Sequence, residues 1–220
     1  MKTFLKIVSV IIVILFLASN LEAKNKTRDS FMNLYLKSYD YYQKDSFELA
    51  IKYSTEAINS KKNSNCIACY LDRATSNYVL NNFKEAKADF EYIKKKDSKH
   101  SYLLNITKCK LRLGFINIAN EEFKIISIKS EDTYVRAQSF AYLKIRDSVY
   151  AYIKMIDSIS IKENKNKQDS VTKNINIPLK KFILYNILNE KELALEYLEL
   201  ALKDNYKHFR YLEICDDFYE

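Results

Sequence analysis

The residues best equipped for chemistry in this chain are two cysteines in the stretch "CIAC", Cys66 to Cys69. Unpaired backbone N–H groups at a helix start stabilise a thiolate, so a Cys-x-x-Cys pair placed there could exchange disulfides. That reading makes the chain an extracytoplasmic thiol-disulfide protein or chaperone. Redox enzymes of this type set the motif between a strand and a helix, however, and no strand pattern surrounds it here. In an oxidising compartment the plainer alternative is a local disulfide or two packed thiols. Cys109 falls mid-helix and reads as a small buried apolar residue. A Cys69–Cys109 bridge would have to join positions about two helical turns apart, too far for bonded sulfurs.

Other chemistries find less to work with. A zinc site built from Cys66, Cys69, His100 and Cys109 does not match the usual ligand spacing, and His208 has no partner at such spacing. These are the only two histidines, and neither stands near a serine or cysteine in a nucleophile–base frame. A single glycine leaves no loop to cradle phosphate. Glu190, Glu192, Glu196 and Glu199 form a dense acidic face, which is ordinary for an exposed helix. The expectation is a protein that is not an enzyme and needs no metal or cofactor.

The elements holding these residues are helices. One Gly and one Pro in 220 residues are too few for the hairpins and turns of a sheet protein. With no Trp but 18 Tyr and 12 Phe, much of the apolar surface carries a hydroxyl and suits a half-wet surface as well as a core. At the start, Met1-Lys2 and Lys6 precede an apolar run from Ile7 to Ala18, with Leu21-Glu22-Ala23 as a cleavage site. This reads as a signal peptide over 1–23, or else an uncleaved N-terminal anchor. Either way an exported protein is expected: periplasmic, held in the cell envelope, or secreted. The lysine, isoleucine and asparagine bias suggests an A/T-rich bacterial source.

The net charge of +8 is unevenly spread. Six lysines face two acids between Ser160 and Lys181, whereas nine acids face four bases from Glu190 to Glu220. No basic stripe with interleaved aromatics appears, so a nucleic-acid partner is not expected. Attraction to an anionic membrane surface stays open. The polar stretch 161–176 reads as a Lys/Asn-rich insertion or loop.

The chain writes one helical pattern five times: "DSFELAIKYSTEAI", "NNFKEAKADFEYI", "GFINIANEEFKII", "DSVYAYIKMIDSI" and "NEKELALEYLELAL". Aligned on a central position, these give Ala50, Ala86, Ala119, Tyr152 and Ala194, spaced by 36, 33, 33 and 42 residues. Four and seven residues further on come partners such as Phe90 and Ile93, which keeps one helical face apolar. Five residues before each central position stand Asp45, Asn81, Gly114, Asp147 and Asn189. All are types that suit a tight helix-to-helix turn. On this pattern the chain resembles the tetratricopeptide repeat family, whose helix-turn-helix unit recurs at about 34 residues. The small residue wanted on each first helix would be Ser38, Ala74, Thr107, Phe140 and Phe182. The residue three further on would be Tyr41, Asn77, Lys110, Leu143 and Tyr185. Repeat four departs from the pattern, with bulky Phe140 at a small site.

The resemblance implies an all-α fold, an α-α superhelix or solenoid of about five helical hairpins. Repeats one to four would occupy 27–160, and an end-of-group capping unit 177–220. It also implies work as a scaffold or adaptor, with a protein or peptide partner laid on a concave face lined by first helices. By register, that face would carry Tyr35, Tyr39 and Tyr42 in repeat one, and Leu71, Thr75 and Tyr78 in repeat two. Leu104, Lys108 and Arg112 follow in repeat three, then Gln138 and Lys144 in repeat four. Tyrosine and arginine anchor interfaces well, although a tyrosine stripe at helical spacing also suits core packing. The lysine and asparagine pattern by which members of the family clamp a peptide carboxylate is missing.

Overall fold

A computed structural model of the chain describes residues 31–60, 66–97, 100–165 and 177–203. The segment expected to be a signal peptide, the polar stretch expected as an insertion or loop beyond residue 165, and the acidic tail fall outside these residues. Among the described residues all regular structure is helical. Helix α1 is described over 31–43. It is followed by α2 (Phe47–Asn59), α3 (Ile67–Val79), α4 (Phe83–Lys96), α5 (His100–Arg112) and α6 (Ile116–Lys129). Then come α7 (Thr133–Tyr142), α8 (Arg146–Lys165), α9 (Ile177–Ile187) and α10 (Lys191–Lys203). The chain divides into two compact units, residues 1–73 and 74–220, with the boundary inside α3.

Each hairpin turns in the same way. The second residue after the first helix takes left-handed geometry: Asp45 (φ 54°), Asn81 (62°), Gly114 (84°), Lys144 (60°) and Asn189 (61°). Two backbone bonds then close every turn. In repeat one, Asp45 N–H donates to the Tyr42 carbonyl and Ser46 N–H to that of Tyr41. The equivalent pairs are Asn81 to Tyr78 with Asn82 to Asn77, and Gly114 to Leu111 with Phe115 to Lys110. Lys144 to Ala141 with Ile145 to Phe140, and Asn189 to Asn186 with Glu190 to Tyr185, complete the set. This is the Schellman closure, which satisfies carbonyls that a helix end would otherwise leave bare.

The turns correct the reading of repeat four. The left-handed residue there is Lys144, three positions before the expected Asp147. The central position therefore falls on Val149, fully buried, in place of Tyr152. The small site becomes Ala137, also buried, and Phe140 moves to the aromatic site three residues on. A three-residue slip keeps side chains on nearly the same helical face, so periodicity alone could not detect it. Lysine is an unusual left-handed residue, because a Cβ is strained there. Its side chain supplies a reason: Lys144 Nζ donates to the carbonyl of Ile187, at the end of α9. Arg146 donates to the next carbonyl, Leu188, at 3.2 Å. Two cations thus cover the carbonyl end of a neighbouring helix, where its dipole favours positive charge.

In the unit from residue 74 onward, α5 packs on α4, α6 and α7, and α7 on α6, α8 and α9. First helices therefore touch successive first helices. Ala119, Phe123, Ile126 and Val135 form one core between α6 and α7. Ala137, Val149, Ile153, Phe182 and Leu184 belong to another that runs into α9. In the unit ending at residue 73, Ala57, Ile58 and Cys69 pack against Leu34, Tyr35 and Tyr70. Ser38 Oγ donates to the Ala50 carbonyl at 3.1 Å, so a small first-helix residue brings the two backbones of the hairpin close.

One cross-hairpin pair recurs, three residues beyond the small site and three beyond the central one. It is Tyr41 stacked on Tyr53 (5.3 Å) in repeat one, and Tyr185 on Tyr197 (5.4 Å) in repeat five. In repeat two the equivalent positions are Asn77 and Asp89, both buried. In repeat three Lys110 Nζ meets Glu122 at 2.5 Å. With the corrected register, repeat four contributes Phe140 and Tyr152, which line one cavity.

Candidate functional site

The expected surface residues fall into separate groups, best taken unit by unit. In the unit from residue 74 onward, Thr75 and Tyr78 of α3 meet Asn105 and Lys108 of α5 around a cavity of about 80 Å³, floored by Phe90. Helical spacing accounts for this, since three-residue steps on each helix hold both pairs on one face. Lys108 Nζ lies 5.1 Å from the centre of the Tyr78 ring, a favourable cation–π distance. Tyr78 in turn meets Phe83 edge-on at 5.4 Å. Arg112 is exposed, its guanidinium 5.4 Å from the same Phe83 ring. Gln138 is only 9% exposed, so its side chain packs inside the repeat instead of offering open surface. Lys144 turns its amine to the end of α9.

In the unit ending at residue 73, Tyr35 and Tyr42 are half-buried and Tyr39 is 46% exposed. The residue that sequence reasoning missed here is Asp72, on α3. Its Oδ2 is buried and accepts no hydrogen bond. Burial pushes the Asp72 carboxyl up to about 6. Tyr42 is pushed up to about 12, by burial first and then by the Asp72 charge. Tyr35 is raised by the same two causes in the same order. The acid therefore sits close enough to both phenols to discourage their ionisation. Asp72 lies between Leu71 and Thr75, on the flank of α3 expected to face inward, but nothing in that placing marks it as unpaired.

Cys66 and Cys69 are joined by a disulfide, with Cα atoms 5.3 Å apart. Cys66 precedes α3 and is half-buried, while Cys69 is fully buried against Ala57 and Ile58. Cys69 N–H also lies 3.1 Å from the Cys66 sulfur. Cys109 is a free buried thiol pushed up to about 12, chiefly by burial, which makes it a poor nucleophile. Among the described residues, no cluster of His, Cys, Asp and Glu is placed to hold a metal ion. A roomier cavity of about 360 Å³ lies in hairpin α7–α8, between Thr133, Arg136, Phe140, Ser148, Tyr152 and Met155. No described helix is long and apolar enough to cross a membrane.

The same two-bond turn, written five times, decides the architecture. Among the described residues the fold is an all-α, tetratricopeptide-like repeat. No protein-family profile matches the chain. No curated protein matches it either. Among solved structures it is similar to a tetratricopeptide repeat protein from Parabacteroides merdae ATCC 43184. That similarity is 16% identity and a TM-score of 0.46, over 87% of this chain and 73% of the other.

Proposed function

We propose that this repeat protein is an exported, non-enzymatic scaffold or adaptor that binds a segment of a protein partner on its first-helix surface. The observation that carries the reading is the meeting of Thr75, Tyr78, Asn105 and Lys108 around one cavity on α3 and α5. A rigid aromatic ring with a cation on its face and two short polar groups beside it is interface chemistry. It gives large contact area with hydrogen-bonding tips at low entropic cost. The mechanism is passive docking of an extended or helical segment onto preformed helices. Export follows from the apolar N-terminal stretch, and the basic balance of the chain leaves association with an anionic membrane surface as a secondary contact.

The test is photo-crosslinking in cells. A benzoyl-phenylalanine placed at Thr75 should capture a defined partner, whereas one at Lys129, exposed at the end of α6, should not. Capture of the same proteins with equal yield from both positions would remove the reading. The second reading, thiol-disulfide exchange, draws on the disulfide at the start of α3. An insulin-reduction assay checks it. The scaffold reading expects no turnover, and a Cys66→Ala, Cys69→Ala variant that still captures the partner.

A further inference from the structure

We infer that Tyr35, Tyr39, Tyr42 and Asp72 form a receptor for a lysine or arginine side chain of the partner segment. This rests on the scaffold reading and adds to it the charge of the group that is recognised.

Asp72 carries a carboxylate oxygen that the described part of the N-terminal unit leaves without a donor. A buried carboxylate is ordinarily paired or hydrogen-bonded, because desolvating it is costly. Asp72 Oδ2 is buried and has no donor. The described part of this unit holds four cations, and each is turned to another group. Arg73 donates to Thr55 Oγ1 at 3.2 Å and stands 5.3 Å from the centre of the Tyr70 ring. Lys44 pairs with Asp40 at 2.7 Å. Lys37 and Lys52 stand over the Tyr53 ring, at 5.4 and 5.6 Å. Burial alone accounts for the displaced titration of Asp72, with no cation pulling it back.

Tyrosines of α1 stand beside the acid: Tyr35 packs against the cluster that holds Cys69, one turn before Asp72 on α3, and Tyr35 and Tyr42 both feel the Asp72 charge. Steps of four and three residues put the three rings on one face of α1. Aromatic faces attract cations through their quadrupole, and a carboxylate beside them adds a full charge. Partly desolvated rings around an unpaired acid favour an ammonium or guanidinium group over an apolar or anionic one. Tyr39 is itself 46% exposed. Long-range attraction does not produce this preference, because the chain as a whole carries +8.

The experiment is an NMR titration of the full chain at pH 7.5, following the rings of Tyr35, Tyr39 and Tyr42. The probes are blocked Gly-Gly-Lys-Gly-Gly, the same peptide with Arg, with norleucine or with Glu at the centre, and tetramethylammonium chloride. The lysine or arginine peptide should shift all three rings saturably, and the norleucine and glutamate peptides should not. Asp72→Asn should weaken binding at least tenfold, and Tyr39→Ala, at an exposed position, several-fold. Norleucine binding as well as lysine, or Asp72→Asn binding unchanged, would overturn the inference. Tetramethylammonium binding tenfold more tightly than either cationic peptide would also overturn it, by making the source a small ammonium compound. Partner capture from Thr75 separates the two claims. Capture undiminished in Asp72→Asn sinks only the cation receptor, whereas absence of specific capture in the unsubstituted protein sinks the scaffold.

Discussion

Replacing Asp72 by asparagine should make this protein more stable at neutral pH, although the substitution removes a charge and adds no obvious contact. In the folded chain the carboxyl titrates at about 6. In the unfolded chain it returns to the ordinary value of about 3.9. A folded-state value above the unfolded one means the folded protein holds the proton more tightly. The resulting stability is fully present below about pH 4, and it is lost as pH rises through the window between about 4 and 6. Two pH units at about 1.4 kcal/mol each set an upper bound near 3 kcal/mol. Asp72 is partly open to solvent, and screening reduces this to about 1–2 kcal/mol. Asparagine does not titrate, so the Asp72→Asn variant escapes the loss. Thermal unfolding followed by circular dichroism, from pH 4 to 8, gives the difference between the two proteins. At pH 7.5 the variant should melt about 3–6 °C higher, and near pH 4 the gap should close to within about 1 °C. Other carboxylates titrate in the same range but cancel in the difference. A variant less stable than the parent at pH 7.5, or a gap independent of pH, would refute the reasoning.

Further substitutions test the repeat itself. Gly114→Ala should cost about 1 kcal/mol in urea unfolding, from backbone strain alone, because an added Cβ at φ +84° meets nothing within 4 Å. Ala86→Glu places a charge at a fully buried helix–helix contact and should cost about 3–5 kcal/mol, melting the α3–α4 hairpin first; an unchanged melting curve would count against the alignment. Ala137→Leu distinguishes the two registers of repeat four. It should cost about 1–3 kcal/mol by overpacking if residue 137 is the small site, and almost nothing if residue 140 is.

The register of repeat four shows where sequence reasoning stopped. Ala86, Phe90 and Ile93, or Ala194 and Ala201, mark a buried helical face without any structure, because burial imposes the 3.6-residue period directly on residue type. Asp45, Asn81, Gly114 and Asn189 likewise mark turns, since few residue types tolerate positive φ. Lys144 marks nothing by its type. It adopts that geometry beside the carbonyl end of α9, 43 residues away, and no local signal could show it. Asp72 eluded the reading in the same manner. An aspartate in a helix is unremarkable until its oxygen is found buried beside two tyrosines.

The amino-acid order alone therefore determined that this chain forms helical hairpins, about how many, and which faces they bury. Those properties follow from short-range periodicity and from the conformational limits of single residues. Only the tertiary structure decided where the fourth hairpin turns, which inward positions are open, and which acid is left uncompensated. Each of these depends on what another helix brings alongside, and a charge or carbonyl dozens of residues away leaves no trace in the local pattern.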